Sequence, residues 1–299
     1  MSERPFLHEA LLATFGVTLS CALLFVAGAR SVSFLQVAGA TALFILAVAV
    51  LARLDTWAHV FRVRLVLAYV ATFFFYASVK TTIPALGLET QDAWLFSLDA
   101  RVFGGSTPSV WFQRWSAPWV HDVFSASYLA FHVYLHLAMA WAVVGPRERA
   151  ERFFSHVFSA YVPGIAGYYL VPAIGPVAAY PELFTAPLEG GWLTRLNAAV
   201  VASGSSTYDL FPSLHVFITL VLLSHDARAH PWRFQALVPV AAALILSTLV
   251  LRYHYAVDLL AGVVWFIAFS AVFPRLQTRW ASWRCGLLAG SGPAVQPRP

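Results

Sequence analysis

Charge is scarce in this 299-residue chain. Only 11% of its residues are Asp, Glu, Lys or Arg, against about 25% in soluble domains, and 60% are hydrophobic. Lys80 is the single lysine, and the only cysteines are Cys21 and Cys285. With a mean hydropathy of +0.70, so little charge excludes a water-soluble globule. There is no solenoid-type repeat, no Walker loop, no zinc-finger spacing, no H-E-x-x-H and no G-x-S-x-G elbow. These absences remove the commonest nucleotide, zinc and serine-hydrolase readings.

Long apolar runs take the place of the missing charge. A spanning helix needs about 20 mostly apolar residues. Eight such runs lie near residues 11–29, 34–52, 63–85, 120–144, 153–173, 211–225, 234–252 and 257–274. The sixth is short, and its start is expected to reach back to Leu210 or earlier. The expectation is an all-α polytopic bundle of about eight spans. Residues 1–62 are expected to form a two-span N-terminal region, and 63–275 the main membrane domain on a six-helix core, which would hold any catalytic site. Residues 276–299 are read as a disordered cytoplasmic tail, with SGPAVQPRP at its end. Ala27-Gly28-Ala29 would also suit signal-peptide cleavage. Against that, the run before it is long, and Glu3, Arg4 and Glu9 give it no positive front end.

Basic residues concentrate in cytoplasmic loops, so they orient the bundle. With eight spans, one side carries Arg4, Arg53, Arg62, Arg64, Arg147, Arg149, Arg152, Arg228, Arg233, Arg275, Arg279, Arg284 and Arg298. The other carries only Arg30, Lys80, Arg101, Arg114, Arg195 and Arg252. Both termini are therefore expected in the cytoplasm. Cys21 then falls mid-span and Cys285 in the tail, so they cannot pair. The net charge of +5 reads as topology and inner-leaflet contact, not nucleic-acid binding.

On the sparsely basic side, three helix ends carry polar groups. The fifth span closes in GYYLVPAIGP, the sixth opens in FPSLH, and LRYHYAVDLLAG joins the seventh to the eighth. Ser213, His215, Arg252, His254 and Asp258 thus reach one membrane face, where ionisable groups are expensive and usually functional. His254 and Asp258 are four apart and share a helix face. The carboxylate would fix the imidazole tautomer and leave Nε2 free as base or nucleophile. Pro212 suits a first helical turn, and the amides after it, with the Ser213 hydroxyl, suit an anion. Arg252 offers a planar fork for phosphate oxygens, and His215 a proton for a leaving oxygen. Together these describe phosphoryl transfer. His215, His254 and Asp258 would also serve as zinc ligands, a reading that leaves Ser213 and Arg252 without work. Taken singly, either histidine could be structural, and Arg252 an interface anchor.

FPSLH, followed about forty residues later by RYHYAVDLLAG, resembles the second and third motifs of the type 2 phosphatidic acid phosphatase superfamily. VPAIGP at 171–176 and LDARVFGG at 98–105 are similar to its inositolphosphotransferase branch, which includes inositol phosphorylceramide synthase and, more distantly, sphingomyelin synthase. The likeness runs from about residue 90 to 265. It implies that His254 attacks phosphorus, Asp258 orients it and His215 protonates the leaving group. It departs at the first motif, Lys-x6-Arg-Pro, which is missing, and at Ser247 and Thr248, where the superfamily has Ser-Arg. Arg252 is the arginine that the inositolphosphotransferase branch shows instead. Lys80 is a further phosphate-site candidate or an interface anchor.

Several polar residues keep two readings. Asp209 would guide an acceptor hydroxyl or cap the sixth helix, with the cap favoured. Tyr128 and His132 share one face of the fourth span, with His121 and Asp122 at its end, and an interhelical hydrogen bond is expected for His132. Residues 86–119, with Trp94, Trp111, Trp115 and Trp119, and Leu95, Leu98 and Val102 at helical spacing, suggest an interfacial helix. Residues 177–209, rich in Gly, Pro and Ser, would serve as a lid or a mere connection. The function expected is transfer of a phospho-headgroup from a membrane phospholipid to a lipid alcohol, with no cofactor and no metal. The alternatives are hydrolysis of a lipid phosphate or polyprenyl diphosphate, and a lipid or anion transporter. Transport would favour discontinuous helices in matched halves, and none is evident.

Overall fold

The computed structural model describes residues 4–55 and 58–289. Twelve α-helices and no strand occur among them. Each expected apolar run is helical: α1 (Leu7–Ala27), α2 (Val32–Arg53), α3 (Ala58–Ala85), α6 (Pro118–Val144), α7 (Arg147–Leu170), α10 (Leu214–Ala229), α11 (Pro231–Val250) and α12 (Ala256–Ala289). Four shorter helices fill the two long connections: α4 (Asp92–Val102), α5 (Pro108–Phe112), α8 (Pro176–Ala179) and α9 (Trp192–Gly204).

Six helices, α1, α2, α3, α6, α11 and α12, are long and apolar enough to cross a membrane. The other two long helices fall short for separate reasons. α7 opens on Arg147, Glu148, Arg149, Glu151 and Arg152. α10 has 16 residues, about 24 Å of helix against roughly 30 Å of bilayer core. Both are interior helices. Thirteen of the 24 residues of α7 and nine of the 16 of α10 are buried, so neighbouring helices surround them where lipid would otherwise. α7 packs on α1, α3 and α10, while α10 packs on α7, α11 and α12.

Glycine permits the closest of these approaches. A Cβ at Gly262 of α12 would stand 2.8 Å from the Ser213 carbonyl oxygen, and one at Gly167 of α7 would strike the Pro212 ring. The FPSLH segment is therefore wedged between two helices at full contact.

The start of the sixth span differs from expectation. It does not reach back to Leu210, because residues 210–213 are not helical and the helix begins at Leu214. Pro212 lies outside the first turn, and Ser213 is the N-cap, with extended backbone (φ −61°, ψ 109°). The physical reason is local: a residue before proline avoids the α region, and serine caps well.

One end of the bundle is closed by buried ion pairs. Arg64, counted on the cytoplasmic side at the start of the third run, is fully enclosed and pairs with Glu9 at 2.5 Å and Asp55 at 2.9 Å. Arg147 reaches Asp55 at 2.6 Å, Arg284 reaches Glu151 at 2.8 Å, and the Trp280 indole donates to the Pro5 carbonyl at 3.2 Å. A charge this deeply buried is tolerated only when paired. The N-terminal segment, the start of α3, the start of α7 and the far part of α12 thus meet at one end. α12 stays helical to Ala289, past residue 276 where the tail was expected to begin. The segment SGPAVQPRP lies outside the described residues.

Candidate active site

The opposite end holds the histidines. His254 Nδ1 lies 3.0 Å from Asp258 Oδ1, and His254 Nε2 lies 3.2 Å from His215 Nδ1. All but His215 are at most 3% exposed. A carboxylate only accepts, so His254 Nδ1 carries the proton between them. His254 Nε2 is then an acceptor, and His215 Nδ1 is the donor facing it. Asp258 Oδ2 also accepts from the Tyr255 amide at 3.1 Å, and the Asp258 carbonyl accepts from the Ser213 amide at 3.1 Å. These bonds lock the FPSLH and RYHYAVD segments to each other.

Arg252 stands beside them on a strained backbone. α11 ends at Val250, the Arg252 amide donates to Leu249 and the Tyr253 amide to Thr248, which is a Schellman ending. The residue at its left-handed position is normally glycine, yet here it is Arg252 with φ +68°. An arginine held there is costly and points to a need for its side chain. Its guanidinium is buried, lies 5.2 Å from the Phe184 ring, and leaves Nε and Nη2 without a hydrogen-bond partner. Burial lowers its pKa from the usual value. Two unpaired, desolvated guanidinium nitrogens suit an anion. The neighbouring Tyr253 hydroxyl is pushed up to about 12 by burial, with the hydrogen bond from Asn197 acting the other way.

His215, His254 and Arg252 line one cavity of about 620 Å³. It runs on between α3, α6 and α7 past Tyr76, Tyr128, His132 and Tyr168, so its far walls are mostly aromatic and apolar. The connection after α8 borders it too, through Val200, Ser205 and Asp209.

Not every expected residue reaches this cavity. The Ser213 hydroxyl is fully buried and accepts from the Val216 amide, so it is spent capping α10. Lys80 is exposed on α3 and is not on the cavity wall. Ser247 and Thr248 donate to the carbonyls of Leu244 and Ile245 in their own helix and are not on the cavity wall. Asp209 does not cap α10. It accepts from Tyr76 of α3, from Ser205 at 3.0 Å and from the Ser206 amide at 3.2 Å, on the cavity wall. His121 and Asp122 tie the second connection to α6, by bonds to the Glu189 carbonyl and to Thr194. The zinc reading loses its geometry, because both Asp258 oxygens face the imidazole and its adjacent amide. Among the described residues no three such side chains converge on a metal position.

Two aspartates on α4 were not assigned from the sequence. Asp99 is fully buried and accepts from the Ala256 and Val257 amides, each at 2.9 Å, and from Thr107 at 2.7 Å. It therefore caps α12 from another element, at the turn that presents Asp258. Asp92 accepts from the Ile174 and Gly175 amides and from the Tyr255 hydroxyl at 3.0 Å. Gly175 has φ +94°, and a Cβ there would stand 2.8 Å from the Tyr253 carbonyl oxygen. Ser109 adds a 2.7 Å bond to the His254 carbonyl. Asp92, Leu95 and Asp99 are buried on α4 while Trp94 and Val102 are exposed, so Leu95 and Val102, expected together on one interfacial face, lie on different sides. The signal in the sequence was the LDARVFGG motif, whose aspartate has no visible partner within the motif. Asp99→Asn puts an N–H donor against two amide donors. It should lower kcat about 10–100-fold with KM within about threefold, since the substrate's own contacts are untouched. Steady-state kinetics in vesicles measure that split.

A family comparison bears on this geometry. The model of the PAP2 superfamily matches residues 93–272, more than half of the chain and all of the cavity's histidine and arginine residues. The chain belongs to the PAP2 superfamily. Members are membrane lipid phosphatases or phosphotransferases, and this protein is an enzyme of that kind. No curated protein and no solved structure matches it significantly. Within the PAP2 protein described here, the matched region starts at α4 and ends in α12, so α1 to α3 lie outside it.

Proposed function

We propose that this PAP2 protein transfers a phospho-headgroup, inositol-phosphate-like, from a membrane phospholipid to a lipid alcohol through a phosphohistidine at His254. The observation that carries the reading is the hydrogen-bonded chain His215–His254–Asp258 beside the unpaired Arg252 guanidinium in one cavity. Phosphorus enters between the two imidazoles. His254 Nε2 forms the P–N bond as the P–O bond to the leaving lipid alcohol breaks, and the His215 proton goes to that oxygen. Asp258 stabilises the cationic imidazole that results. Arg252 and the open amides of the first turn of α10 hold the other phosphate oxygens. In the second half-reaction His215 takes the acceptor's proton, the acceptor oxygen bonds phosphorus, and the P–N bond breaks. Asp209 with Tyr76 offers the acceptor hydroxyl a partner on the cavity wall. A cavity that is largely aromatic and apolar favours a lipid alcohol over water as acceptor.

The test uses purified protein in vesicles with EDTA, labelled glycerophospholipids and a panel of lipid alcohols. Label moving to the lipid alcohol is the expected result. Release into water alone would assign hydrolysis, and no turnover on any lipid phosphate would contradict the proposal.

The site is read as facing away from the cytoplasm, at the end opposite the buried arginine cluster. No cytosolic nucleotide reaches that face, which is why a lipid is the proposed donor. Glu182→Cys and Arg149→Cys, both at exposed positions, test this in a background lacking Cys21 and Cys285. An impermeant maleimide applied to intact cells should label position 182 and not 149. The reverse pattern would put the site inside and remove the donor argument.

A further inference from the structure

The cavity descends from the paired imidazoles along α6 to His132, while His136, one turn further on, is exposed and off the cavity wall. His136 is satisfied: its Nδ1 donates to the His132 carbonyl at 2.7 Å and its Nε2 meets the Tyr69 hydroxyl of α3 at 3.1 Å. The interhelical bond expected of His132 therefore belongs to His136. The His132 ring is half-buried on the cavity wall and has no hydrogen bond among the described residues. Among the described residues its ring neighbours besides His136 are Tyr128 at 6.0 Å and Phe131 at 5.4 Å. Those two rings in turn pack on His215, at 4.8 and 5.0 Å.

An imidazole N–H on an apolar cavity wall is costly to leave unpaired once a lipid displaces water from it, and the exposed His136 shows that α3 offers a hydroxyl partner to a histidine of this helix. The His132 side chain lines the space that a ligand enters. Its depth is fixed by α6, since His132 lies one turn, about 6 Å along the axis, beyond the tyrosine that touches His215. In a diacyl phospholipid the nearest carbonyl stands a few bonds from phosphorus, a span of the same size. A bare polyprenyl chain carries no acceptor at that depth.

Building on the proposed lipid phosphotransfer, we infer that His132 is a specificity-determining donor. It hydrogen-bonds a carbonyl oxygen of the lipid backbone, so the cavity selects ester- or amide-bearing lipids over bare hydrocarbon phosphates. Tyr128 and Phe131 form the apolar step between this donor and the phosphorus.

Native mass spectrometry of the intact protein, titrated with a diacyl phosphatidate and with the matched dialkyl ether that lacks carbonyls, reads this without chemistry. The wild type should bind the diacyl form about tenfold more tightly, the value of one hydrogen bond. His132→Leu should bring the two affinities within about twofold by weakening the diacyl form alone, and His132→Gln, which keeps a donor, should restore most of the preference. Absence of a wild-type preference overturns the inference. So does an equal loss on both lipids, or a preference that survives His132→Leu. Turnover of the wild type on the same two lipids is scored separately, so a protein that discriminates but does not react would sink the proposed function and leave this donor standing.

Discussion

His254→Ala is expected to abolish turnover, with a loss of about four orders of magnitude or more in kcat. Among the described residues its Nε2 is the cavity nitrogen that is both left unprotonated by its own hydrogen bonding and backed by a carboxylate. Removing it takes away the P–N bond, and neither His215 nor His132 has a carboxylate to make it a comparable nucleophile. Asp258→Asn should be less severe, about 10²–10³-fold, because it misplaces the tautomer and leaves the nucleophile present. The fold should persist in both, since packing around the site rests on Gly262, Gly167 and the α4 aspartates. Near wild-type rates for His254→Ala would remove the site assignment altogether.

The second large effect separates the two imidazoles. On a native lipid whose leaving group is an alkoxide, His215→Ala should lose about 10²–10⁴-fold, the usual range for a lost general acid. On a substrate with an activated phenolic leaving group, departure needs no proton. The first half-reaction should then run within about tenfold of wild type, while His254→Ala stays inactive on both substrates. The His215 donor position, 3.2 Å from the nucleophile, motivates the contrast. A His215→Ala defect of equal size on both substrates would make His215 a structural neighbour of His254 and not its acid.

How much of this was legible in the chain differs residue by residue. The eight apolar runs could be read because a run of one chemistry is a local signal. His215, His254 and Asp258 could be read because they fall where those runs reach one membrane face. His254 itself precedes α12, so its bond to Asp258 closes across the helix start. Arg252 was legible as a charge but not as a left-handed residue in a helix ending, because nothing in RYHY announces the backbone. Ser213 and Asp209 were misjudged together. Placing the start of α10 a few residues early moved the cap to the wrong residue and put the serine hydroxyl in the phosphate site. Lys80 was chosen as the chain's one lysine, closing the third span on the outer side, and neither fact gives its direction on α3. Asp92 and Asp99 could not be assigned at all, because their partners lie about 80 to 160 residues away. His132 and His136 look alike in sequence, and only the packing of α3 against α6 decides which of them is satisfied.

The most direct test of the account is to trap the covalent intermediate. His215→Ala is mixed with a donor carrying a labelled phosphoryl group and an activated leaving group, without acceptor, and quenched during the first turnover. With no base to activate an acceptor, label should accumulate on the protein to nearly one per chain. It should be stable in alkali, lost in acid, and map to the peptide containing His254. Leaving-group release with no label on the protein, or label on any residue other than His254, would contradict the phosphohistidine mechanism.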